Sequence, residues 1–224
     1  MELSKFELQL PIKSTRGGKS VEIIPPSELT KGYKSEYFFP VDKGYAFRCP
    51  TNGYKTENAK YPRSELREKL STGEWSLKGL HVMNVQCEVN ELAGGKGIII
   101  GQIHGKDSKI TPQLVKLLYR LDESIELQVK EVNNPSKQLA FNLGKIKLGE
   151  LFEYQIEMHD KLLVVSVTKI VHNRPVTTIV NYPYDDSYWD KNKYYFKCGC
   201  YVQSNDKGND HAVVTISRLS VFHK

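Results

Sequence analysis

The chain has 224 residues, 39% hydrophobic and 26% charged, enough for one large domain with a real core. That balance, with 16 Gly and 10 Pro, excludes a collagen-like, low-complexity or disordered chain, and no apolar run approaches the roughly 18 residues of a membrane-spanning helix. Lysine and arginine outnumber acids 32 to 26, a net charge of +6. Such a surface concentrates polyanions, whether nucleic acid, anionic lipid or acidic polysaccharide, without choosing among them.

In chain order, the start Met1-Glu2-Leu3-Ser4-Lys5 lacks the basic and apolar regions of a secretory signal. It implies a cytosolic protein or one whose signal has been removed. Arg16-Gly17-Gly18 reads as a turn, residues 26–29 as one turn of helix, and Thr51-Asn52-Gly53 as a turn. Met83, Val85, Cys87 and Val89 alternate with polar residues and predict a half-buried strand. Gly94-Gly95-Lys96-Gly97 does not match a phosphate loop and reads as a hairpin turn. Residues 111–121 are the one stretch that predicts a short helix. Ile125, Leu127 and Val129, then Phe152, Tyr154, Ile156 and Met158, predict two more alternating strands, the first followed by a turn at Asn133-Asn134-Pro135. Residues 162–171 are nearly continuous and β-branched, which predicts a strand covered on both faces. A turn at residues 205–208 precedes a last strand over 213–222. Many short strands with frequent turns indicate a β-sandwich or jelly roll, and no linker or repeat divides 1–224 into more than one domain. The four cysteines, Cys49, Cys87, Cys198 and Cys200, form no CxxC pair. Cys198 and Cys200 read as small core residues, since two positions along a strand place Cα atoms about 6.5–7 Å apart, at the limit for a disulfide.

Three segments break the rule that one strand face is merely solvated. An extended chain sends Arg63, Glu65 and Arg67 to one side; Gln102 and His104 share a face about Ile103; Tyr195, Lys197, Gly199, Tyr201 and Gln203 lie opposite Phe196, Cys198, Cys200 and Val202. On a single sheet these groups suit a long acidic ligand, with Gly199 leaving room for its approach. The other five histidines, His81, His159, His172, His211 and His223, read as structural. No second histidine or carboxylate has metal-ligand spacing to His104, and no GxSxG marks a serine nucleophile.

These segments, Arg63-Ser64-Glu65-Leu66-Arg67, Gln102-Ile103-His104 and Tyr195-Phe196-Lys197-Cys198-Gly199-Cys200-Tyr201-Val202-Gln203, resemble in residues and order the three motif strands of the alginate lyases of polysaccharide lyase family 7. Ser35-Glu36-Tyr37-Phe38, Phe47-Arg48-Cys49-Pro50 and Leu219-Ser220-Val221 resemble flanking phrases of that family, so the likeness spans nearly the whole chain. Cys198 departs from the alanine common before the glycine.

The resemblance implies a jelly roll of two curved antiparallel sheets with substrate in the concave one, and β-elimination across a 1,4-linked uronate. Tyr201 matches the catalytic tyrosine that protonates the leaving oxygen, with nearby Arg63 or Lys197 expected to lower its pKa. His104 matches the base for guluronate; for mannuronate Tyr201 could do both jobs. Arg63 and Gln102 match the groups that neutralise the reacting carboxylate, with Glu65 expected to orient the arginines through a bidentate pair. Arg67, Tyr195, Lys197 and Gln203 are expected to line sugar subsites beside Glu65. No metal or organic cofactor is required. The expected partner is acidic polysaccharide (alginate), not nucleic acid or membrane; the expected enzyme is an exported monomer with endo action, Ile103 tilting it to guluronate-containing blocks. The rivals are a glucuronan lyase of the same fold and a non-catalytic carbohydrate-binding jelly roll.

Overall fold

A computed structural model describes residues 1–15, 17, 20–57, 59–107 and 109–224. The strands are β1 (Phe6–Lys13), β2 (Val21–Ile24), β3 (Phe38–Val41), β4 (Gly44–Pro50), β5 (Arg63–Glu68), β6 (Leu80–Glu91), β7 (Ile98–Gly105) and β8 (Gln113–Tyr119). They continue as β9 (Ser124–Glu131), β10 (Asn134–Lys145), β11 (Phe152–His159), β12 (Leu162–Val171), β13 (Arg174–Pro183), β14 (Tyr194–Val202) and β15 (His211–His223). One helical turn, α1 (Pro26–Leu29), forms where it was expected, with proline supplying its fixed φ at the first position.

The strands make two antiparallel sheets, ordered β10-β9-β8-β7-β14-β5-β1-β2 and β13-β12-β11-β6-β15-β4-β3. Period-two alternation explains the layering. Phe152, Tyr154, Ile156 and Met158 on β11, Val85, Cys87 and Val89 on β6, and Phe196, Cys198, Cys200 and Val202 on β14 all enter one core between the sheets. All four cysteines are buried there with free thiols, as small core residues. The all-β jelly roll expected from the sequence is the observed fold.

Three local expectations are corrected. Residues 111–121 form no helix: Gln113–Tyr119 is β8, paired on both sides with β7 and β9. Its Val115, Leu117 and Tyr119 reach the core, so sheet pairing overrides the helical propensity of the leucines. Residues 162–171 are covered on one face only: Leu163, Val165 and Val167 are buried, whereas Leu162 and Ile170 are exposed. Residues 94–97 make no hairpin, because β6 and β7 belong to different sheets and the glycines carry the chain across the sandwich. Gly97 takes φ +92°, and a Cβ there would stand 2.2 Å from the Tyr119 carbonyl oxygen. Arg16 and Gly18 of the first expected turn lie outside the described residues.

The sheets are tied at one end by a buried polar chain. The Glu68 carboxylate accepts from Trp75 Nε1 (2.9 Å) and the Phe196 backbone N–H (3.0 Å), and meets His223 Nε2 at 2.7 Å. His223 Nδ1 lies 2.9 Å from His81 Nδ1, and His81 Nε2 lies 2.9 Å from the Lys78 carbonyl oxygen. The carbonyl only accepts, so His81 Nε2 donates to it. Burial lowers the pKa of His81 and favours its neutral form. A histidine with a depressed folded-state pKa gives stability that is full above its unfolded value, about 6.5, and is lost as pH falls below it. The thermal midpoint is expected to fall on acidification from neutrality through this window, and less so in His81→Gln. An equal fall in both proteins would exclude His81 as the titrating group.

Candidate active site

The concave face of the eight-stranded sheet gathers the three motif strands side by side. In register, Lys197 of β14 faces Arg67, Gly199 faces Glu65 and Tyr201 faces Arg63 of β5. On the other side Tyr195 faces His104, Lys197 faces Gln102 and Tyr201 faces Ile99 of β7. Gln102 thus lies along β7 between the levels of His104 and Tyr201.

Glu65 is the centre. It is 0% exposed and accepts from Arg63 Nη1 (3.2 Å), Gln102 Nε2 (2.5 Å) and Lys197 Nζ (2.5 Å). Burial opposes its charge, but Lys197, Arg63 and the Gln102 amide outweigh burial and hold its pKa below the usual carboxylate range. The bidentate arginine pair expected here does not form: Arg63 gives Glu65 one N–H, and Arg67 is held instead by Glu7 (3.3 Å) and Glu74 (3.1 Å). Each arginine also covers a tyrosine ring, Arg63 over Tyr201 at 3.8 Å and Arg67 over Tyr195 at 4.0 Å. Arg63 Nε is buried with no hydrogen-bond partner.

Lys197 is only 2% exposed and donates to Gln9 (2.9 Å) as well as Glu65, so it lies under the floor of the site rather than along its surface. Burial and Arg63 bring its pKa down to about 8. Tyr195 is buried beside His104, its ring stacked at 5.2 Å and its hydroxyl 2.9 Å from His104 Nδ1. Gln203 donates to the Val202 backbone carbonyl at 3.0 Å. Beside Arg67, Lys69, Glu74 and Tyr195 line a cavity of about 220 Å³.

His104 Nδ1 lies 2.8 Å from the Gly105 carbonyl oxygen, which only accepts, and this favours the tautomer with the proton on Nδ1 and a free lone pair on Nε2, the Tyr195 hydroxyl then accepting beside the carbonyl. Burial, with Lys197 and Arg63 nearby, lowers its pKa to about 3, so the imidazole is neutral in the free protein. Tyr201 moves against the sequence expectation. Arg63 does lower its pKa, but burial raises it more, and the net direction is upward. The phenol therefore stays protonated.

Gly199 also differs in its reason. It takes φ +141° at an irregularity in the β14–β7 register, and a Cβ would lie 2.7 Å from the Ser64 carbonyl oxygen and 2.9 Å from Glu65 Cα. The neighbouring strand, not an approaching ligand, demands the glycine. Among the described residues no group of three or more His, Cys, Asp or Glu could hold a metal ion.

The alginate lyase family model matches residues 1–223. A curated alginate lyase of Klebsiella pneumoniae is 27% identical over 278 residues, covering 99% of this chain and 89% of that protein. Among solved structures, alginate lyase A1-II', a member of polysaccharide lyase family 7, is 33% identical with a TM-score of 0.85, covering 100% of this chain and 96% of its own. Alginate lyase PA1167 from Pseudomonas aeruginosa is 32% identical, also with a TM-score of 0.85, and both chains are covered in full. The structures of A1-II' include complexes with a substrate (GGMG) and a product (GGG). The chain belongs to the alginate lyase family, and so to the polysaccharide lyases.

Gly199→Ala tests the strand contact. The methyl group forces β14 and β5 apart at Glu65, and overpacking of this kind costs about 1–3 kcal/mol. Urea denaturation is expected to show that loss together with reduced turnover. Unchanged stability would mean that the strands yield freely there.

Proposed function

We propose that Arg63, Gln102, His104 and Tyr201 carry out β-elimination on a uronate lying across the middle of the concave sheet. The obstacle is charge: removing the proton on carbon 5 adds negative charge next to a carboxylate that is already negative. Donors aimed at that carboxylate must therefore be in place before the proton leaves. Arg63 gives Glu65 one N–H of its guanidinium and has others to offer, and Gln102 has a second amide N–H beyond the one given to Glu65.

His104 Nε2 takes the carbon 5 proton. That electron pair forms the double bond between carbons 4 and 5, the bond from carbon 4 to the glycosidic oxygen breaks, and the Tyr201 phenol gives the leaving oxygen its proton. The products are an unsaturated uronate end and a free hydroxyl, with no water consumed. A free imidazole with a pKa of about 3 is a weak base, but the bound carboxylate opposes the field of Lys197 and Arg63 and moves it upward. The observation that carries this reading is the placement of His104 and Tyr201 on one face on either side of Gln102, an imidazole and a phenol that can serve as base and acid.

The same placement supports guluronate-containing blocks as the substrate. In guluronate the proton lies opposite the leaving group, so base and acid are separate residues, as here. Mannuronate would require Tyr201 to act as base, which its raised pKa opposes. Ile103 points into the core, so any influence it has on the substrate acts through packing. Endo action fits the position of the motif strands, with β8, β9 and β10 on one side and β1 and β2 on the other. Every residue in the mechanism comes from one chain, so a monomer suffices. Polymeric alginate does not cross a membrane, which sets the place of action outside the cell.

Ultraviolet absorbance of the unsaturated product, with polyguluronate, polymannuronate and glucuronan offered separately, is expected to be strongest for polyguluronate. Strongest response to glucuronan would favour the glucuronan reading, and binding without product a carbohydrate-binding module. Tyr201→Phe is expected to keep the fold and lose at least about 100-fold in turnover. His104→Ala is expected to depress polyguluronate cleavage far more than any residual polymannuronate cleavage; equal losses would mean that His104 is not the guluronate base.

A further inference from the structure

A second cationic position lies on the concave face, one strand beyond the reacting groups. On β8, Val115 and Leu117 enter the core and Lys116 between them faces the cleft. In register Lys116 stands beside Gln102 of β7 on one side and Gln128 of β9 on the other. Lys197, Gln102, Lys116 and Gln128 therefore form one row across four strands, at about 4.8 Å per step. His104 and Tyr201 flank that row at Gln102, above and below it along the strands. A polymer whose reacting sugar sits between them and runs across the strands on that side passes Lys116 next.

Lys116 is half-buried, and among the described residues it makes no hydrogen bond or ion pair. Its surroundings are poor in counter-charge. Lys130, Arg120 and Lys60 all act on it unfavourably; Glu126 acts favourably but is already held by Arg120 and Gln128. Burial and these cations bring its pKa down to about 8. An uncommitted ammonium among like charges destabilises the empty protein, and a bound carboxylate relieves that repulsion.

We infer that Lys116 binds the carboxylate of the uronate next to the one being cleaved, forming an anionic-sugar subsite on β8. The inference rests on the uronate-lyase reading of the central site. The contact is made before and during reaction alike, so it belongs to binding and not to the chemical step.

The test compares the wild type with Lys116→Gln, Lys116→Arg and the exposed-loop control Lys147→Ala on polyguluronate. Initial rates and product sizes are measured, with folding checked by circular dichroism. Lys116→Gln is expected to raise KM roughly tenfold with kcat within about twofold, and to shift the distribution of product lengths. Lys116→Arg, which keeps the charge, should stay near the wild type, as should Lys147→Ala. An unchanged KM and product pattern in Lys116→Gln, or equal defects in the glutamine and arginine variants, would overturn the inference. If the wild type releases no unsaturated product from any uronate polymer, the reading of the central site fails first. An active wild type with an indifferent Lys116→Gln removes the subsite alone.

Discussion

A carboxylate with no exposure to solvent governs the concave face. Glu65 can remain ionised inside the sheet only because Lys197, Arg63 and Gln102 donate to it, since a buried charge without partners costs several kcal/mol. That requirement acts in both directions: the donors stabilise the carboxylate, and the carboxylate fixes where they point. Lys197 and Glu65 offset one another, leaving the Arg63 charge as a surplus at the centre, while Arg67 shares Glu7 with Lys69 and Glu74 with Lys106. The centre of the face thus carries positive charge in surplus.

The fold supplies the rigidity this needs. β5, β14 and β7 are interior strands of an eight-stranded sheet, each paired on both sides, so none is free to slide without breaking two ladders. Gly199 allows the β14 backbone to lie close against Glu65. Behind the sheet, Glu68 follows Arg67 on β5 and points the opposite way, receiving the Phe196 N–H from β14 and joining His223 of the other sheet. The strands that carry the site are thereby tied to each other and to the second layer.

Much of this was legible in the sequence because it is local. Alternation along residues 63–67, 102–104 and 195–203 fixed which side chains share a face, and the sheet brings those faces together. What the sequence hid depends on lateral register or on burial. Residues 111–121 carry leucines that suit a helix, and only pairing with β7 and β9 makes them a strand. Lys116 lies far along the chain from Arg63 and Tyr201, and nothing in its own neighbours places it beside Gln102. Lys197 alternates with exposed-face residues yet sits beneath them, because Glu65 and Gln9 draw its ammonium inward. For Tyr201 the sequence shows the nearby arginine but not the desolvation that outweighs it. Glu68, His81 and His223 come from three distant strands, and no spacing announces their contact.

In the proposed mechanism Glu65, with no exposure to solvent, organises donors and does not touch the sugar. The most direct test is Glu65→Gln, which keeps the shape and removes the charge, with kcat and KM followed alongside circular dichroism. A native spectrum is expected, with a kcat lower by at least about 100-fold, the scale of losing one donor to a developing anion, and a much smaller change in KM. A natively folded Glu65→Gln protein whose kcat stays within about threefold of the wild type would contradict this role of Glu65.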